Sequence, residues 1–206
     1  MDGSGFWREK GYKWTMMAVS VVLLGAIAYV YLDGDREPDF PMQGPAAPFT
    51  LTDIQGEPVS METTTGQVKL LYFFFANCPD VCPPTTHMLS SVQEKLQEEG
   101  VFGEQSMILQ VTIDPERDTP EMLKRYAANF HADLTAWRFL RGTEQEVKDV
   151  GEDYGIFVQK DEATGTFIHS NTVILIDQNN QIRKRYIGDD LNEDLIAKDV
   201  IQLINR

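Results

Sequence analysis

Cysteine is scarce in this 206-residue chain: Cys78 and Cys82 are the only two. Two thiols can close one disulfide or jointly grip one soft metal ion. No cysteine lies near the N-terminus, which excludes a lipoprotein anchor. Basic residues are few as well, with 18 Lys and Arg against 32 Asp and Glu and a net charge of −14 at pH 7. That balance argues against nucleic acid, whose phosphates would be repelled. Its plain meaning is a solvated surface, and its sharper one an attraction to a cationic partner. Repeats and low-complexity stretches are lacking. With 42% hydrophobic and 10% aromatic residues the chain can bury one good core, while two full domains would be a stretch.

Charge is absent from Trp14 to Leu32, and 19 helical residues would span roughly 28 Å, close to the hydrocarbon thickness of a bilayer. Arg8, Lys10 and Lys13 precede this run, whereas Asp33, Asp35, Glu37 and Asp39 follow it with only Arg36 as counterweight. The pattern predicts a cytoplasmic N-terminus (1–13), a transmembrane anchor (14–32) and an extracytoplasmic remainder. A cleaved signal peptide is the competing reading, because Ala26-Ile27-Ala28 resembles a cleavage site. Against it, the apolar run continues through Leu32. From Asp33 onward the chain keeps 15 of the basic and 30 of the acidic residues, a net charge of −15.

Residues 33–48, rich in Pro, Gly and acid, predict an extended linker. A domain over 49–206 follows. Phe49, Leu51 and Ile54 with the turn at Gln55-Gly56 predict a small hairpin. Val68–Phe75 is an apolar run of strand length that suggests cover on both faces, and Pro83–Leu96 has a helical stripe. Ile108–Ile113 predicts a second buried strand. Thr119-Pro120 opens a helix to about Phe130, and Trp137–Leu140 is a short strand. The capping box Thr143–Glu146 starts a helix ending near Tyr154-Gly155. Ile156–Gln159 and Thr166–Ile168 flank a turn at Thr164-Gly165. Thr172–Ile176 and Ile182–Ile187 flank Asn179-Asn180, and a helix over Leu191–Ile204 closes the chain. The order hairpin–β–α–β–α–β–α–ββ–α predicts an α/β, thioredoxin-like fold with an N-terminal hairpin and an inserted hairpin, preceded by one transmembrane helix.

In that architecture Cys78 falls at the tip of the first core strand, an exposed and reactive corner. With a helix starting near Cys82, both sulfurs can reach one side of the chain, and Pro79 and Pro83 stiffen the turn. The positive end of the helix favours thiolate, the form that attacks disulfides and binds metals. A structural disulfide is the bland alternative, but a loop this short would contribute only about 2 kcal/mol. Among the histidines, His87 reads as a helix-face residue and His131 as a helix-end cation. His169, just before the strand Thr172–Ile176, falls beside the cysteine corner. Two thiolates and one imidazole would suit Cu(I) or Cu(II). Thioredoxin oxidoreductases have two residues between their cysteines and a proline before the facing strand. Here the spacing is three, and Phe167–Thr172 contains no proline. Both differences favour metal binding over general disulfide exchange. A peroxidatic cysteine is disfavoured too, since Phe75-Ala76-Asn77 offers neither the threonine nor the arginine it needs.

These residues resemble the SCO/SenC family of membrane-anchored, thioredoxin-like copper proteins of cytochrome c oxidase assembly. The resemblance is carried by Phe75-Ala76-Asn77-Cys78-Pro79-Asp80-Val81-Cys82-Pro83, by Asp114-Pro115-Glu116-Arg117-Asp118-Thr119-Pro120, and by Tyr154-Gly155 with the distal His169-Ser170. It implies that Cys78, Cys82 and His169 bind a copper ion. The 114–120 segment would then be a structural loop shaping the face above the site. The family often has an acid before this histidine, where the chain has Ile168, so orientation of the imidazole is left to another group. The implied function is a metallochaperone delivering copper to the dinuclear copper site of cytochrome c oxidase subunit II, after loading from an upstream copper donor. The alternative is a thiol-disulfide reductase, with Cys78 and Cys82 as its redox pair, that prepares that site's cysteines and draws on a thiol reductant. The acid-bearing N-terminus, with Asp2 and Glu9, is unlike a mitochondrial presequence and favours a bacterial cell membrane over the mitochondrial inner membrane.

Overall fold

A strand with every residue buried, Val68–Phe74, is the axis around which the domain is laid out. The computed structural model describes Trp14 and residues 16–25, 40–160 and 167–206. Two units emerge, Met1–Asp39 and Phe40–Arg206. In the first, Trp14 and residues 16–25 are helical with exposed side chains. Among the described residues no helix is long and apolar enough to cross a membrane. The rest of the predicted 14–32 span lies outside them, as do the N-terminal 13 residues and the first part of the linker.

The second unit has, in chain order, β1 (Gly44–Pro45), β2 (Thr50–Asp53), β3 (Pro58–Ser60), β4 (Val68–Phe74), α1 (Cys82–Glu98), β5 (Ser106–Thr112) and α2 (Pro120–Asn129). There follow β6 (Trp137–Arg141), α3 (Glu144–Asp153), β7 (Val158–Lys160), β8 (Phe167–His169), β9 (Val173–Ile176), β10 (Gln181–Tyr186) and α4 (Glu193–Ile204). Eight strands form one sheet in the order β1-β10-β9-β4-β5-β6-β2-β3, and β7 pairs with β8 separately. The β4–β5 and β5–β6 neighbours are parallel, and the outer pairs are antiparallel. Helical crossovers join the parallel strands, as parallel pairing requires.

Alternation along β4 aims its side chains at two different layers. Tyr72 and Phe74 face the helices: Phe74 meets Tyr126 of α2 at 5.1 Å between centroids, and Tyr126 shares a 2.9 Å hydrogen bond with Thr86 of α1. Phe73 points the other way, 6.2 Å from Tyr154 at the end of α3. Lys69 breaks the apolar run yet is fully buried. Its Nζ donates to the carbonyls of Thr64 (2.8 Å) and Gln67 (2.7 Å), and burial draws its pKa down to about 8. The helix starts follow their local signals. Thr119 accepts from Met122 N–H, the Thr143/Glu146 capping box is closed, and Asn192 accepts from Leu195 N–H.

Two expectations change. The linker predicted over 33–48 gives up its second half to the domain. Phe40 is 1% exposed, Gly44 and Pro45 pair with Ile182 and Gln181, and the Arg206 guanidinium lies 5.0 Å from the Phe40 ring centroid. A two-residue edge strand containing proline carries no alternation from which to read it. The last helix begins at Glu193 rather than Leu191, because Gly188–Asp190 forms a 3-10 turn and Asn192 caps the helix behind it. The predicted turn at Thr164-Gly165 lies outside the described residues, although the strands it would join do pair.

Replacing Phe40 with Ala removes a buried ring and is expected to cost about 3 kcal/mol in chemical denaturation. A loss below about 0.5 kcal/mol, the range of ordinary surface substitutions, would return this residue to the linker.

Candidate metal centre

β4 delivers the chain into a short loop, and α1 begins at the second cysteine. Within the loop Cys78 N–H donates to Phe75 O at 3.2 Å. The helix start carries Pro at its first positions, and no side chain hydrogen-bonds its free N–H groups from the N-cap Val81. Instead the N–H of Cys82 donates to Cys78 Sγ at 3.4 Å, so one orphan donor of the helix terminus is spent on a sulfur. His169 arrives at the end of β8, with its Nε2 3.3 Å from Cys82 Sγ. The two sulfurs and one imidazole nitrogen all lie within 4.8 Å of one another. The sequence named these three residues, and the fold brings them together from 87 positions apart.

The imidazole is oriented by the backbone. Its Nδ1 lies 3.1 Å from the carbonyl oxygen of Ser170. A carbonyl can only accept, so Nδ1 carries the proton and Nε2 turns its lone pair toward Cys82. This is the service that an acid at position 168 would otherwise give. Ser170 is held in turn, its N–H donating to Phe157 O at 3.0 Å and its Oγ accepting from Phe157 N–H at 3.2 Å. Phe75 meets the imidazole edge-on, with centroids 5.9 Å apart. Beneath the site, Tyr72 donates to Asn171 Oδ1 at 3.1 Å, and Asn171 Nδ2 donates to Thr85 at 3.2 Å. Sequence reasoning missed Tyr72, Thr85 and Asn171. The available signal was a hydroxyl in the apolar stretch Leu70–Phe75 and two polar residues within three positions of a candidate ligand.

Burial overturns one expectation about the thiols. Cys82 is fully buried and Cys78 only 8% exposed, so the corner is not an open one. Burial, reinforced by the neighbouring Cys78, pushes the Cys82 thiol well above its ordinary range, against the thiolate-favouring effect expected of a helix start. His169 is half-buried, and burial lowers its pKa more than the Ser170 carbonyl raises it. A neutral imidazole beside a protonated thiol follows, with Cys82 S–H directed at Nε2. The exposed residues of the loop are Asn77, Pro79 and Asp80. His87 is exposed on α1, and His131 is exposed where its positive φ of 53° closes α2. Neither belongs to the ligand cluster. Two sulfurs and one nitrogen, without a carboxylate, form a donor set for a soft or borderline metal rather than for calcium or magnesium.

Comparison with known proteins agrees with this geometry. The family model for SCO1/SenC matches residues 41–205. The SCO1 protein homolog of Bacillus subtilis is 32% identical over 157 residues, covering 75% of this chain and 80% of that protein. BsSco, a member of the Sco family of cytochrome c oxidase assembly proteins, superposes with a TM-score of 0.70 at 29% identity, covering 82% of this chain and 98% of that one. Yeast Sco1 with copper bound gives a TM-score of 0.66 at 28% identity, covering 80% of this chain and 90% of that one.

A thiol whose folded-state pKa lies above its unfolded value stabilises the fold at lower pH. That contribution is lost as pH rises above the unfolded value of about 8.5. The metal-free, reduced protein is therefore expected to lose stability more steeply from about pH 8.5 upward than its Cys82→Ala variant. Parallel denaturation curves for the two across that window would contradict the raised pKa.

Proposed function

The chain belongs to the SCO1/SenC family, and from that premise we propose that it is a copper metallochaperone of cytochrome c oxidase assembly. Cys78, Cys82 and His169 are its ligands, and the dinuclear copper site of the oxidase's subunit II is its destination. The observation that carries this reading is the meeting of two unbonded sulfurs with an imidazole whose lone pair already faces Cys82. Copper would be cargo. The two sulfurs suffice for Cu(I), and the imidazole extends the set to Cu(II). On loading, Cys82 gives up the proton it directs at Nε2, so uptake releases protons and affinity falls as pH drops. Release is ligand exchange from the outside inward. The half-buried His169 and the edge of Cys78 are within reach of an acceptor's ligands, while the buried Cys82 lets go last. Oxidation of the thiol pair would switch uptake off.

The N-terminal segment completes the proposal as an uncleaved single-pass anchor. The uncharged run Trp14–Leu32 and the basic residues before it support a cytoplasmic N-terminus and an extracytoplasmic domain, in a bacterial cell membrane.

Titration of the reduced protein with Cu(II) is expected to give a strong sulfur-to-copper charge-transfer band at one equivalent. In His169→Ala the band should be lost and Cu(II) affinity should fall by about tenfold or more. Weak copper binding together with rapid reduction of a disulfide peptide from the acceptor's copper site would replace the chaperone with a thiol-disulfide reductase. Separately, the mature protein should sediment with membranes and retain residues 16–32. Finding Tyr29 at its N-terminus would show a cleaved signal peptide instead.

A further inference from the structure

Asp114–Asp118 reaches both halves of the ligand cluster. Asp118 is fully buried, and one of its carboxylate oxygens accepts the N–H of Ala76 at 3.0 Å and the hydroxyl of Thr112 at 2.5 Å. Ala76 stands two residues before Cys78. Asp114, 3% exposed, takes its N–H to the same Thr112 hydroxyl at 3.0 Å. Thr112 ends β5 opposite Phe74 in the parallel pair with β4. This footing is rigid: two buried carboxylates sit on the end of the central sheet.

Arg117 stands between those two aspartates. Its guanidinium is paired with Asp114 and lies over the Phe167 ring, 5.7 Å from the centroid. Phe167 is two residues before His169 on β8, and β-strand alternation places both side chains on one face. Phe167 contacts Phe75 at 5.4 Å, and Phe75 meets the imidazole at 5.9 Å. Rings in such tilted and edge-on contacts hold one another's orientation, and a cation over a ring face adds a directional attraction.

We propose that Arg117 is a positioning residue for His169, acting through Phe167 and Phe75 from a footing fixed by Asp114, Asp118 and Thr112. This rests on the reading of Cys78, Cys82 and His169 as copper ligands. The device matters for one valence only. Cu(I) is satisfied by the two sulfurs, whereas Cu(II) needs the nitrogen, so the relay tunes the protein toward Cu(II) without touching its grip on Cu(I).

The test uses the reduced, copper-free full chain in detergent, as wild type, Arg117→Ala, Phe167→Leu, His169→Ala and the Arg117→Ala/His169→Ala pair. Cu(II) affinity is read by titration, Cu(I) affinity by competition with a colour-forming chelator, and nitrogen coupling by electron paramagnetic resonance. Arg117→Ala and Phe167→Leu should each weaken Cu(II) about tenfold and alter the nitrogen coupling, while Cu(I) affinity stays within about twofold. The double variant should lose no more than His169→Ala alone, because both changes remove the same interaction. Equal losses for the two valences would overturn the proposal, and so would a further loss on adding Arg117→Ala to His169→Ala. A wild-type signal that ignores His169→Ala would overturn the ligand assignment itself, a result seen before any Arg117 variant is measured.

Discussion

The burial of β4 on both faces is the constraint from which the site follows. A strand covered by helices on one side and by Tyr154 and its neighbours on the other has no freedom to shift register, since a slip of one residue would exchange its two faces. Its end is therefore a fixed point. The loop after Phe74 is pinned to that point by the Cys78 N–H to Phe75 carbonyl bond and by Asp118 on Ala76, and α1 starts at Cys82 because prolines open it there. Cys82 is carried into the interior by the same packing. Its position beside His169 results from a sheet that places β9, the strand following the histidine, next to β4.

Burial also sets the chemistry. A thiol at a helix start in water would favour its charged form, yet in this interior the cost of an isolated charge exceeds the pull of the helix terminus. The same interior keeps the imidazole neutral. The Cys82–His169 contact is thus electrically quiet, with a proton on the Cys82 sulfur and a lone pair facing it. A cation entering such a site would meet donor atoms that are already aimed and, at Cys82, a proton that it must displace. On the proposed reading, the sulfurs would make capture selective for soft metals and the proton on Cys82 would make it pH-dependent.

Several local features were legible because they are local. The Cys-x-x-x-Cys, the capping box at Thr143 and the Thr119-Pro120 helix start act within a few residues of themselves. His169 could be singled out by its place before a strand and by the absence of a proline there. Other features could not be read. The partner of the imidazole is a backbone carbonyl, Ser170, and every residue has one. Lys69 interrupts the apolar run yet stays buried, because two carbonyls happen to converge on its ammonium. Phe40 sits in a stretch of linker-like composition, and contacts from distant segments, Arg183 of β10 on its carbonyl and Arg206 over its ring, tie it to the core.

The sequence by itself determined the class of fold, the three candidate ligand residues and the family, since periodicity, capping and motif spacing are properties of short stretches of chain. The tertiary structure alone decided the protonation of Cys82 and His169 and the accessibility of each candidate ligand. It also decided the orientation of His169 and the reach of Arg117 to the histidine strand. Those depend on which groups from distant segments share a low-dielectric interior, and neither desolvation nor a contact across 87 residues is written into any one segment.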